Sequence, residues 1–182
     1  MIDAGLAACA PAVAPATLAR VIQVESGGRP LAINVNKGPR VGAPANPAVA
    51  AATARYWIAR GHSVDLGLMQ VNSRNLARLG FTIEQMFDPC TNVRAGAQIL
   101  TENYVAAAKA RGHGQHALRD ALSAYNTGSF QRGYANGYVG KYYAMPYSYG
   151  RVGAVNTSPL TVVADPYTAD TSVFSRKDTV ND

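Results

Sequence analysis

Glycine breaks at Ser26-Gly27-Gly28, Gly61, Gly80 and Gly112-His113-Gly114 divide the first part of this chain into short stretches of helical character. Glycine loses more backbone freedom than other residues on entering a helix, and it readily adopts the left-handed conformation that ends one. The pattern predicts several short helices around one core, mainly α, with at most a small hairpin. The segment Ala14 to Glu25 reads as the first clear helix, with Pro15 suited to its opening turn. Leu18, Val21 and Ile22 form one apolar stripe, and Glu25 follows them by seven, four and three positions. A carboxyl is thereby expected on or beside the buried face of the helix's last turn.

The other segments follow the same punctuation. From Pro30 to Pro47 the chain is rich in Gly, Pro and Asn and reads as loop, with a short hairpin through Ala32 to Val41. Pro47 to Arg60 is Ala-rich and helical, and His62 to Gly67 reads as a turn. Ser73 is the expected cap of a helix from Arg74 to Leu79. Asp88-Pro89-Cys90-Thr91-Asn92 is a second capping region, opening a long helix to about Ala110, and a further helix covers Ala117 to Tyr125. Seven of the ten tyrosines lie between Tyr125 and Tyr149, so the composition changes after Asn126. There is no internal repeat.

Length and charge limit the function classes. At 182 residues the chain favours one domain, and 48% hydrophobic against 15% charged residues excludes disorder throughout. The uncharged apolar stretch Val41 to Ala54 is broken by Pro44, Asn46 and Pro47, and Ala4 to Ala19 by Pro11 and Pro15, and both are too short for a membrane span. The net charge of +6 points to an anionic partner. It resides in residues 1–150, which carry 14 basic and 7 acidic side chains, while 151–182 carry three and four. Apart from the pair Arg176-Lys177, Lys and Arg are scattered singly and form no run with interleaved aromatics, so nucleic acid is not an expected partner. Beyond 150 periodicity is lost, and 151–182 is expected to be a polar, flexible tail.

Cys9 and Cys90 allow a single pairing, either a bridge in an exported protein or two buried thiols in a cytosolic one. Met1-Ile2-Asp3 begins no signal-peptide pattern, which fits a cytosolic protein or an exported one whose signal is not part of this chain. The sequence carries no zinc-protease helix, phosphate loop or nucleophile elbow. His113 and His116 are the only closely spaced histidines, with neither cysteine near them in sequence, so no metal and no cofactor is expected.

Glu25 is the most informative of the three glutamates. Burial and the negative end of a helix both disfavour its charged form, which predicts a raised pKa and suits a general acid. Three motifs set its context: Glu25-Ser26-Gly27-Gly28, Gly67-Leu68-Met69-Gln70-Val71-Asn72 and Ala124-Tyr125-Asn126-Thr127-Gly128. Their order resembles the soluble lytic transglycosylase family, whose fold is goose-type-lysozyme-like. Cys9-Ala10-Pro11, Pro30-Leu31-Ala32-Ile33, Phe87-Asp88-Pro89-Cys90 and Gly137-Tyr138-Val139 extend the resemblance toward the transglycosylase component of bacterial type IV secretion and conjugation machines. It covers about residues 9–143.

The resemblance implies a catalytic domain over 1–150 that cleaves the β-1,4 bond between N-acetylmuramic acid and N-acetylglucosamine, closing a 1,6-anhydro ring. Glu25 is then the single catalytic acid and base, with Asp65 to be weighed as a second carboxylate. Tyr125 is expected near Glu25, its hydroxyl orienting the carboxyl or the substrate acetamido group. Ser26, Met69, Gln70, Asn126 and Tyr138 are the other expected substrate-binding residues. The family's later motif often places an acid four residues before its tyrosine; Tyr134 stands there. The implied setting is periplasmic, with peptidoglycan strands and secretion-machine subunits as partners. A hydrolytic muramidase on the same fold and a non-catalytic wall-binding assembly subunit are the competing readings.

Overall fold

The computed structural model describes residues 4–144. The expected tail at 151–182, and the boundary at 150, lie outside the described residues. Eight helices and three short strands run in the order α1 (Ala4–Ala8), α2 (Pro15–Ser26), β1 (Ile33–Val35), α3 (Pro47–Ile58), β2 (Val64–Leu66), β3 (Val71–Asn72), α4 (Leu76–Leu79), α5 (Pro89–Arg111), α6 (Gln115–Thr127), α7 (Arg132–Ala135) and α8 (Tyr138–Ala144). The fold is mainly α and lysozyme-like, as the glycine punctuation and the motifs lead one to expect.

Each long helix begins and ends for a local reason. Proline stands in the first turn of α2, α3 and α5, where its missing N–H costs nothing. Asn46 accepts from the Val49 N–H at 2.9 Å to cap α3, and Asp88 accepts from the Thr91 N–H at 2.8 Å to cap α5. Gly27, Gly80 and Gly128 end α2, α4 and α6 in the left-handed conformation. The core joins Leu18 and Val21 of α2, Leu100 and Tyr104 of α5, and Leu118 and Leu122 of α6, all buried. The α5 and α6 pair is its main contact. In α3, Ala50, Ala51 and Ala54 are buried, and their small side chains let that helix approach the core closely.

Three local expectations are corrected. Residues 32–41 do not pair with each other. β1 instead pairs antiparallel with β2, matching Ile33 to Leu66 and Val35 to Val64, and β2 pairs antiparallel with β3. The stretch read as a turn at His62 to Gly67 is therefore largely the central strand. Its Val64 and Leu66 are fully buried, and pairing with segments distant in sequence leaves no local signal. Ser73 is not a cap either. Asn72 accepts from the Arg74 N–H at 3.1 Å and caps a turn of 3₁₀ helix, while the Ser73 hydroxyl accepts from the Val64 N–H at 3.1 Å.

Cys9 and Cys90 are bridged, tying the turn after α1 to the first turn of α5 across 81 residues of sequence. No helix among the described residues is long and apolar enough to cross a membrane.

Candidate active site

A cleft of about 1410 Å³ runs between the end of α2, the small sheet, the loop before α3, and the end of α6. Glu25 lines it. The apolar stripe of α2 fixes that position: Leu18, Val21 and Ile22 bury one face, and the last turn of the same face meets the cleft. Gly27 and Gly28, both at positive φ, then turn the chain away at once. Such backbone is open to glycine and strained for residues with a Cβ.

Glu25 has its pKa raised to about 7. Burial is the largest cause, the Tyr138 hydrogen bond opposes it, and the nearby Asp65 charge adds to the rise. Burial prevails because a neutral hydroxyl recovers only part of the lost hydration of a carboxylate. The Tyr138 hydroxyl donates directly to Glu25 Oε1 from the start of α8, across 113 residues of sequence. Burial and the Glu25 charge hold Tyr138 itself well above the usual phenol range, so it stays a donor.

Tyr125 takes a different partner from the expected one. Its hydroxyl donates to the Met69 carbonyl at 2.7 Å, and Tyr138 holds the carboxyl in its place. Tyr125 still lines the cleft near Glu25, whose charge contributes, after burial, to raising its pKa.

The second motif forms the tight turn between β2 and β3. Gly67 is left-handed, and a Cβ there would lie 2.3 Å from Asn92 Nδ2 and 2.4 Å from the Met86 carbonyl. Gln70 is also left-handed, at φ 48°, and its side-chain amide donates to the carbonyls of Gly67 at 2.8 Å and Ala32 at 3.2 Å. Gln70 lines the cleft while clamping its own turn. Met69 is fully buried against Gly96, where an added Cβ would come within 2.7 Å of its sulfur. Its side chain does not line the cleft, and its backbone bonds to Tyr125 and Asn92.

Of the remaining expected residues, Ser26 is buried and donates to the Ile22 carbonyl of its own helix at 3.2 Å. Asn126 lines the cleft and accepts from Asn136 Nδ2 at 2.8 Å, joining the third motif to the segment before α8. Tyr134 is turned onto Asp120 at 2.6 Å, in a cluster completed by Arg111, and does not line the cleft.

Asp65 lines the cleft at the middle of the sheet. Its Oδ2 accepts from Asn34 and Asn36, each at 2.9 Å, and its Oδ1 from Asn72 at 2.6 Å. Asn34 and Asn72 are its cross-strand partners in β1 and β3. Three amide donors thus occupy both of its oxygens.

Sequence reading missed Asn92, taken there only as part of a capping region. It is buried in α5, accepts from the Met69 N–H at 2.8 Å, and donates to the carbonyls of Leu66 at 2.8 Å and Met86 at 2.9 Å. One side chain thus secures the motif turn to the long helix. Asn34, Asn36 and Asn72 were likewise unmarked as a group, since nothing local signals that three asparagines share one carboxylate. Among the described residues no group of three His, Cys, Asp or Glu side chains is placed to hold a metal ion.

This arrangement can deliver a proton and take it back. A carboxyl poised near neutrality faces a long open cleft, a tyrosine orients it, and the neighbouring carboxylate is clamped by amides.

The pattern of the transglycosylase SLT domain family matches residues 4–145. Protein virB1 of Agrobacterium fabrum is 44% identical over 133 residues, covering 73% of this chain and 54% of that protein. The type IV secretion system protein virB1 of Brucella abortus biovar 1 is 45% identical over 127 residues, covering 69% of this chain and 53% of that protein. The chain spans about half the length of these relatives. No solved structure matches it significantly.

Proposed function

The chain belongs to the transglycosylase SLT domain family, and from that premise we propose that it is a peptidoglycan lytic transglycosylase with Glu25 as its single acid and base. The observation that carries the reading is the Glu25 carboxyl, raised to about 7, lining the cleft and held by Tyr138. In the first step protonated Glu25 gives its proton to the glycosidic oxygen between N-acetylmuramic acid and N-acetylglucosamine, and the C1–O bond breaks. The substrate's acetamido oxygen stabilises the cation at C1, as in glycosidases that rely on substrate assistance. In the second step the Glu25 carboxylate takes the proton of the muramyl 6-hydroxyl as O6 bonds to C1. The anhydro ring closes, the acid is restored and no water is consumed.

Tyr138 is a positioning residue here. It fixes one carboxyl oxygen and moderates the pKa that burial alone would push higher. Tyr125 and Gln70 hold the motif turn that walls the cleft, and Asn126 presents an amide edge for sugar hydroxyls or acetamido groups. The clamped Asp65 contributes a fixed negative charge for a sugar cation.

The relatives' printed name, type IV secretion system protein, supports placing the activity at the bacterial wall beside a secretion or conjugation apparatus, in the periplasm. Its substrate is then the glycan strand and its partners the subunits of that machine.

Asp65 in the same cleft favours a second reading, a muramidase in which this carboxylate activates water. The three amides on its oxygens argue against a free base. Mass spectrometry of digested wall decides between them. Wild type is expected to release anhydro-muropeptides, one water lighter than hydrolysed products, and Glu25→Gln to release none. Reducing-end products alone would establish the muramidase. Undiminished lysis by Glu25→Gln would overturn the assignment of Glu25.

A further inference from the structure

The tyrosine that holds Glu25 stands at the first position of α8, a helix of seven residues, so its aim depends on how the chain enters that helix. One face of α6 grips the segment before it, through side chains spaced three apart. Asp120 accepts from the Tyr134 hydroxyl at 2.6 Å, the Ser123 hydroxyl accepts from the Gly133 N–H at 2.8 Å, and Asn126 accepts from Asn136 Nδ2 at 2.8 Å. Gly133 lies so close to α6 that a Cβ there would come within 2.5 Å of the Ser123 Cα. The first two contacts hold α7 down. The third leads on to α8.

Asn136 uses both ends of its amide. Its Oδ1 accepts from the Tyr138 N–H at 3.0 Å, reaching across Gly137, which is left-handed at φ 79°. That closure is an Asx turn, and it sets the direction in which the chain starts α8. An N–H needs an acceptor, so the Tyr138 bond settles which end of the amide is oxygen and turns Nδ2 toward Asn126. Asn126 lines the cleft, and Asn136 does not. One exposed side chain thereby joins a residue of the cleft to the backbone of the residue that bonds Glu25.

Resting on the reading of Glu25 as the acid, we infer that Asn136 is a positioning residue, which sets the Tyr138 hydroxyl on the Glu25 carboxyl through the entry to α8. It touches neither the carboxyl nor the sugars, and its effect passes entirely through Tyr138. The other groups whose charge bears on this contact are Asp65 of β2, Tyr125 of α6 and Tyr142 of α8, and the substitutions below retain all three.

The chain has only three glutamates, Glu25, Glu84 and Glu102, so carbon NMR of the full chain labelled at the glutamate carboxyls gives a direct titration of Glu25. Its signal is assigned by its loss in Glu25→Gln. Wild-type Glu25 is expected to titrate at about 7. Asn136→Ala loosens the entry to α8, so the hydroxyl that favours the anion is held less firmly. The titration should move upward by about half to one pH unit, part of the worth of one hydrogen bond to a charged group. Asn136→Ser, whose hydroxyl can close the same turn on the Tyr138 N–H, should recover most of that change. Tyr138→Phe should move the titration by itself, and adding Asn136→Ala should move it no further, because the two act through one contact. Tyr134→Phe removes a neighbouring anchor of α7 and should lower the denaturation midpoint while leaving the titration in place. Asn126→Ala cuts the outer bond and should move the titration upward by less, which keeps the test decisive if circular dichroism shows Asn136→Ala unfolded. An unmoved titration in Asn136→Ala, or in Asn126→Ala where the first does not fold, overturns the inference. So does a full further change on the Tyr138→Phe background, or an equal change in Tyr134→Phe. The titration needs no turnover, so absence of anhydro products from the wild type would remove the transglycosylase reading and leave the role of Asn136 to be decided by NMR.

Discussion

At the residue scale the chemistry depends on one carboxyl held between opposing influences. Burial and the Asp65 charge favour protonated Glu25, while the Tyr138 hydroxyl favours the anion. Activity that needs the acid protonated should fall as pH rises through about 7. Tyr138→Phe removes the influence that lowers the pKa, so the alkaline limb of the profile should move upward. Its kcat/KM should drop about tenfold to a hundredfold, because the carboxyl loses its anchor. Asp65→Asn should move the same limb downward. Both shifts are read from kcat/KM against pH, and limbs that stay in place would separate Tyr138 and Asp65 from the acid. The position of Glu25 was legible from helical periodicity, and so was the direction of its shift. Its tyrosine partner was not, since Tyr125 and Tyr138 both stand in family-like motifs and only the packing of α8 shows which hydroxyl reaches the carboxyl.

At the element scale the turn between β2 and β3 carries the most local constraint. Two left-handed residues, Gly67 and Gln70, lie within four positions, and the Asn92 side chain satisfies two carbonyls and one N–H around them. Asn92→Ala would leave those buried groups unpaired, at about 2–4 kcal/mol. Denaturant melts should show that loss, with a fall in activity because the turn bears Gln70 and the Met69 carbonyl that anchors Tyr125. Stability within about 0.5 kcal/mol of wild type would show that water replaces the amide. The sequence marks α2, α3, α5 and α6 within a few residues of their ends, through proline, Asp88 and glycine, but it leaves the short α1, α7 and α8 unmarked. The strands are not marked either, because each has only two or three residues and β1 finds its partner some thirty residues onward.

On the scale of the whole molecule, the Cys9–Cys90 bridge joins the N-terminal turn to the start of the long helix α5. Closing a loop of 81 residues restricts the unfolded chain, so replacing both cysteines by serine should cost about 2–4 kcal/mol. A lowered thermal midpoint, with activity at low temperature largely retained because neither cysteine lines the cleft, is the expected result. An unchanged midpoint would mean that α1 is held by packing alone. The same segment docks Leu6 and Cys9 against the core, which is why its attachment matters to α5.

The sequence by itself determined the longer helices, the carboxyl on an apolar face and the concentration of positive charge in the first 150 residues. These are local or additive properties, readable from spacing, caps and counts. Tertiary structure alone decided which tyrosine holds Glu25, that Asp65 is clamped by three asparagines, that Asn92 secures the motif turn, and that Asn136 joins Asn126 to the entry of α8. Each depends on side chains brought together from distant segments, and such contacts form only when the buried faces of the helices have packed.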